Sequence, residues 1–173
     1  IVFETSGFDL NSNIEAVEGS VSISNSSWKI FTRDNSSIKA KTGISIYNGN
    51  NNTNKLVINS DLLNTGSGKI SITNANGNGI ELVKGVTNKG GDIVILDAGK
   101  TVISNAVTSE LGDITIDSNG ININDVIGLR KVVVNKTVKT NDKGKAKLDL
   151  DLKKGKYNVT VSFSGNENYT GNS

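Results

Sequence analysis

Short runs in which apolar and polar residues alternate recur along most of this chain. They centre on Val21-Ser22-Ile23, Ile38-Lys39-Ala40, Ile44-Ser45-Ile46, Leu56-Val57-Ile58, Ile70-Ser71-Ile72, Ile93-Val94-Ile95, Ile114-Thr115-Ile116 and Ile121-Asn122-Ile123. A period of two places two apolar side chains on one face of a strand and turns the residue between them outward. No stretch sustains the helical period over the roughly ten residues that a helix needs, so the pattern predicts a chain that is nearly all β.

Three of the runs share a frame. Gly68-Lys69-Ile70-Ser71-Ile72, Gly91-Asp92-Ile93-Val94-Ile95 and Gly112-Asp113-Ile114-Thr115-Ile116 begin 23 and 21 residues apart. Each is followed by a glycine and further apolar positions: Gly79-Ile80-Glu81-Leu82, Gly99-Lys100-Thr101-Val102-Ile103 and Gly120-Ile121-Asn122-Ile123. A degenerate repeat of this length is the signature of a solenoid, in which one coil cannot bury its apolar side chains until the next stacks on it. Five or six coils at a spacing of about 4.8 Å would build a rod of about 25 Å from residues 1–125. The Trp28-Lys29-Ile30-Phe31 strand and the Asn48 to Asn54 loop interrupt the period, which predicts irregular coils over residues 1–65. The competing arrangement is two antiparallel sandwiches in tandem. Parallel contacts among Ile72, Ile95 and Ile116 mark the solenoid, and a hairpin joining Ile95 to Ile103 marks the sandwich.

The pattern changes at Val126. Longer alternations run over Val132 to Val138, then Ala146, Leu148, Leu150 and Leu152, then Tyr157, Val159, Val161 and Phe163. Turn-rich connectors lie between them at Thr140 to Gly144 and Lys153 to Lys156. They predict an antiparallel meander over 126–173, short of the roughly 100 residues of a complete sandwich.

Residues 66–124 resemble the repeats of filamentous haemagglutinin-type adhesins and other large secreted β-helical proteins. The likeness is carried by Gly68 to Ile72, by Gly90-Gly91-Asp92-Ile93-Val94-Ile95-Leu96-Asp97-Ala98-Gly99 and by Gly112 to Ile116. The tail resembles the bacterial immunoglobulin-like repeats of adhesin-like surface proteins. That likeness runs through Thr137 to Ala146, Leu148-Asp149-Leu150, Gly155 to Val161 and Gly165 to Gly171. Together the resemblances imply a right-handed parallel β-helix followed by an incomplete C-terminal Ig-like meander, in a spacer and display stalk of an exported microbial protein. Such a segment is expected to be extracellular, with its export signal and anchor outside these 173 residues, and to be a monomer.

Composition removes chemistry rather than adding it. The chain has no His, Cys, Met or Pro, which eliminates His catalysis, Cys nucleophiles, thiolate zinc sites and disulfides. With 19 Lys and Arg against 17 Asp and Glu, the net charge of +2 indicates no nucleic-acid or anionic-membrane partner. The partner implied by the resemblance is a host or neighbour-cell glycan or protein.

The alternative function is a β-helical polysaccharide lyase or hydrolase. It needs paired carboxylates or an acidic calcium site, and Asp92, Asp97, Asp113 and Asp117 are the candidates on the coils. Asp92 and Asp113 hold the same frame position directly after glycine, and a corner or strand-capping role is the plainer reading. Asp149 and Asp151, with Asn141-Asp142 in a turn, match no calcium-loop spacing, so no metal, cofactor or catalytic residue is expected. Asn-x-Ser/Thr sequons at Asn25, Asn35, Asn51, Asn135, Asn158 and Asn168 are possible glycosylation sites, although 25 Asn with 33 Ser and Thr yield about five by chance. Ser71, Val94, Thr115 and Asn122 are expected outward, and their mixed character argues against a flat threonine ladder. Trp28 and Tyr47 could stack on a sugar but more simply pack in the core, and Tyr169 is expected to fill a corner of the tail module.

Overall fold

The computed structural model describes residues 1–49, 53–123, 126–128, 132–135, 163–166 and 169–172. Among these the chain is all β. In chain order the first turns run β1 (Val2–Thr5), β2 (Phe8–Leu10), β3 (Ile14–Ala16), then β4 (Val21–Asn25), β5 (Ile30–Thr32), β6 (Ser37–Ala40). Two more follow as β7 (Ile44–Asn48), β8 (Leu56–Ile58), β9 (Asp61–Asn64) and β10 (Ile70–Asn74), β11 (Ile80–Leu82), β12 (Val86–Asn88). The next are β13 (Ile93–Ile103) with β14 (Val107–Ser109), and β15 (Ile114–Ile123) with β16 (Val126–Gly128), before β17 (Val132–Asn135).

This is a parallel β-solenoid with three faces. The first face stacks β1, β4, β7, β10, the first half of β13, the first half of β15, and β17. The second stacks β2, β5, β8, β11 and the later halves of β13 and β15, and the third stacks β3, β6, β9, β12, β14 and β16. Every pairing among these strands is parallel. Ile72 lies opposite Ile95, and Ile95 opposite Ile116. Ile95 and Ile103 belong to one strand that bends between Asp97 and Lys100 without reversing. The tandem-sandwich arrangement is thereby excluded.

The inward residues of each alternation form columns: Val21, Ile44, Ile70, Ile93 and Ile114, and beside them Ile23, Ile46, Ile72, Ile95 and Ile116, all buried. Burying a side chain of this size contributes about 1.5–3 kcal/mol, but only once a neighbouring coil covers it. Stacking and core formation are therefore one event. The interrupted stretch over residues 1–65 keeps this register: Val21 opposes Ile44 and Ile44 opposes Ile70, steps of 23 and 26 residues. The longer step places its extra residues in the corner between β7 and β8, where they leave the strands undisturbed.

The frame glycines are required by close approach of backbones. A Cβ on Gly91 would sit 2.3 Å from the Gly68 oxygen, and one on Gly112 would sit 2.2 Å from the Gly91 oxygen. Gly79 is constrained twice, by φ of +99° and by the Lys100 oxygen 2.7 Å from where a Cβ would stand.

Parallel pairing continues past residue 125, with β16 on β14 and β17 on β15. Farther on, β18 (Phe163–Asn166) and β19 (Tyr169–Asn172) form an antiparallel hairpin, and Tyr169 opens its second strand. The strands expected over 136–138, 146–152 and 157–162, with their connectors, lie outside the described residues.

Candidate functional site

The chemistry inside the solenoid is carried by polar side chains at its corners. On β4, β7, β10 and the first halves of β13 and β15, the first face ends on a residue that points inward at the turn toward the second face: Asn25, Asn48, Asn74, Asp97 and Ser118. All five are buried. The Asn25 Nδ2 donates to Asn48 Oδ1 (3.1 Å), the Asn48 Nδ2 to Asn74 Oδ1 (2.8 Å), and the Asn74 Nδ2 to Asp97 Oδ1 (3.2 Å). Side-chain amides suit this stack because each has a donor and an acceptor on opposite sides. Asp97 ends it because a carboxylate only accepts. It also receives the Gly99 and Ile80 N–H groups and the Thr101 hydroxyl, all at 2.9 Å. Ser118 Oγ accepts the Thr101 N–H and has the Gly99 and Gly120 oxygens within reach of its single hydroxyl proton at the same corner.

A second column closes the corner after the third face, in the order Ala16, Ala40, Asn64, Asn88 and Ser109. The Asn64 Nδ2 reaches Asn88 Oδ1 (2.9 Å) and the Gly66 and Gly68 oxygens, while Asn88 Oδ1 also accepts from Gly90 and Gly91 N–H. Below Asn64 stands the Ala40 methyl, which offers no donor. Asn64 Oδ1 is buried with no hydrogen-bond partner among the described residues. A smaller group at the end of the second face joins Thr32, which accepts from Asn59 and Ser60 N–H, to the paired hydroxyls of Ser36 and Ser60.

The candidate acids divide between the interior and the outer surface. Asp97 points into the interior, whereas Asp92 and Asp117 are exposed. Asp92 and Asp113 do occupy adjacent coils, and Asp92 Oδ1 accepts the Asp113 backbone N–H at 2.9 Å, the geometry of a strand cap. Among the described residues no three acidic side chains gather where they could hold a metal ion. Asp149, Asp151 and Asn141-Asp142 lie outside the described residues.

The sequons divide by burial. Asn25 is wholly enclosed in the first column, whereas Asn35 and Asn135 are exposed. Asn51, Asn158 and Asn168 lie outside the described residues. Ser71, Val94 and Thr115 form one outward row of the first face, but Asn122 belongs to the second face, opposite Val102.

Trp28 and Tyr47 are exposed, contrary to a core position. Alternation turns Tyr47 outward between inward Ile46 and Asn48. Trp28 precedes β5 instead of belonging to it, since Asn25 Oδ1 draws the Ser27 and Trp28 N–H groups into a turn. Its ring lies over Gly7, where a Cβ would come within 2.6 Å of it, with the Lys29 Nζ 4.7 Å from its centroid. Beside it Arg33 holds Asp9 through two nitrogens, at 3.2 and 2.8 Å. That hydrogen-bonded guanidinium holds the Asp9 carboxyl below its ordinary value, and the carboxylate in turn raises Arg33. Inter-coil ion pairs Glu15–Lys39 and Lys55–Glu81 decorate the outside similarly.

Sequence reasoning missed both polar columns. The signal was present: Val21-Ser-Ile-Ser-Asn25, Ile44-Ser-Ile-Tyr-Asn48 and Ile70-Ser-Ile-Thr-Asn74 put Asn at the same offset from the strand start, in phase with the apolar residues. No family model, curated protein or solved structure matches the chain.

Proposed function

We propose that this chain is a spacer and display segment of a large exported microbial cell-surface protein, with adhesion to a host or neighbour-cell glycan or protein as the associated role. The observation that carries this reading is the continuous in-register stacking from β1 to β17, with apolar columns inside and corner side chains bonded from coil to coil. Such an interior resists bending because its hydrogen bonds and its packing run along the same axis. The likeness of residues 66–124 to haemagglutinin-type repeats, and of the tail to immunoglobulin-like repeats, supports the surface role. The lack of Cys and Met suits an oxidising exterior.

The test is reach. Displayed between a membrane anchor and a fluorescent tag, the segment should hold the tag at a distance that falls by about 4.8 Å for each whole coil removed in register. A distance indifferent to coil number opposes the spacer role. Turnover of an acidic polysaccharide that is abolished by Asp92→Ala or Asp113→Ala would assign the chain to the carbohydrate-active alternative instead.

A further inference from the structure

Four Asn-Gly steps occur among the described residues, Asn48-Gly49, Asn76-Gly77, Asn78-Gly79 and Asn119-Gly120, all at the corner between the first and second faces. An Asn followed by Gly is chemically labile, because no side chain shields the next backbone nitrogen from the Asn Cγ. The fold treats these four steps differently.

Asn48 is locked on both sides of the reaction. Its amide is buried in the first column between Asn25 and Asn74, and the Gly49 N–H donates to the Asn25 oxygen at 2.8 Å. Asn76 is held by two bonds, Nδ2 to the Asn54 oxygen and Oδ1 from the Asn78 N–H, both 2.9 Å. Asn119 donates to the Ala98 oxygen, and Gly120 lies within β15, paired with Lys100. Asn78 is exposed, its amide makes only a local 3.3 Å bond to the Asn76 oxygen, and the Gly79 N–H makes no hydrogen bond among the described residues. Gly79 itself is buried, with the Lys100 backbone against its Cα, while the neighbouring Asn78 side chain is exposed.

We propose that Asn78 is a site of spontaneous deamidation, with water as the co-reactant. The Gly79 nitrogen gives up its proton to solvent base and attacks Asn78 Cγ. The new C–N bond closes a five-membered imide, and the Cγ–Nδ2 bond breaks as ammonia departs with a proton. Water then adds to either imide carbonyl and opens the ring to aspartate or isoaspartate, with no change of oxidation state. The product carries a negative charge where the chain had an amide. The fold itself maintains the reactive pair, since the positive φ and the close Lys100 oxygen demand glycine at position 79.

Peptide mapping of the folded chain held at mildly alkaline pH, with isoaspartate detection, tests this. The peptide containing Asn78 should gain about 1 Da well before the one containing Asn48. Conversion at Asn48 should be about tenfold slower or more, because its amide must first leave the column. In urea the two sites should convert at similar rates, and Asn78→Gln should remove the fast product. Equal rates at Asn78 and Asn48 in the folded chain would overturn the proposal, as would conversion at Asn76 or Asn119 with Asn78 intact.

Discussion

The two interior columns use the same amide chemistry and end differently. The first passes a hydrogen bond from Asn25 through Asn48 and Asn74 to Asp97, whose second oxygen is filled by the Ile80 N–H and the Thr101 hydroxyl. The second starts abruptly at Asn64, above two alanines, and leaves Asn64 Oδ1 buried and unpaired among the described residues. An amide in the middle of a column is satisfied by its neighbours, whereas an amide at the end needs a residue of complementary type. The difference shows that the worth of a buried asparagine here is set by the coil above and below it.

Breaking the complete column should therefore cost most. Asn48→Ala removes the acceptor of Asn25 and the donor of Asn74, leaving two buried polar atoms without these partners. The expected loss is about 4 kcal/mol in urea unfolding, and a loss below about 1 kcal/mol would show that the column contributes little. Asp97→Asn, although it resembles the residue one coil earlier, should destabilise by about 2 kcal/mol. Its NH2 must face at least one of four donors now aimed at a carboxylate. A D97N variant as stable as the parent would contradict that assignment of donors.

In the incomplete column Asn64→Ala should cost less, about 1.5 kcal/mol, because one of its polar atoms is unpaired already and Asn88 Oδ1 keeps its Gly90 and Gly91 donors. Parity with Asn48→Ala would erase the contrast between the columns. Ala40→Ser places a hydroxyl below Asn64 Oδ1 and should stabilise by about 1 kcal/mol. Thermal melts of this variant alone and combined with Asn64→Ala check the pairing, since the gain should vanish in the double variant.

The smallest expected effect lies outside the columns. The folded Asp9 titrates below its ordinary value of 3.8, so the Arg33 pair stabilises the fold above that value, and its contribution is lost as pH falls through the depressed folded value. Arg33→Met should lower the melting temperature slightly near neutral pH and not at all in strong acid. Both partners are exposed, so added salt should shrink the difference as well.

Much of the coil was legible because alternation and glycine frames are local signals. Ile70 to Ile72, Ile93 to Ile95 and Ile114 to Ile116 announced both their strands and their spacing. Trp28 was misread because it falls in the turn before β5, where Asn25 Oδ1 lies 3.4 and 3.5 Å from the Ser27 and Trp28 nitrogens, a local arrangement that competes with the strand pattern. Over residues 1–65 the strands keep their register from coil to coil although the spacing between coils varies. The columns escaped notice because Asn is a turn residue by propensity, and only its phase with the buried isoleucines distinguishes Asn48 or Asn74 from the exposed Asn78.

By itself the sequence determined an all-β chain, a repeat near two dozen residues, and the absence of His, Cys and Met chemistry, because each depends on residue type and short-range order. Tertiary structure decided which asparagines became interior donors and which stayed in solvent. It also placed Asp97 inside and Asp92 outside, and it left Asn64 Oδ1 unmatched among the described residues. The inward phase of these residues is a local signal, but whether an inward amide finds its donor or acceptor depends on the residue one coil away, about two dozen positions along the chain.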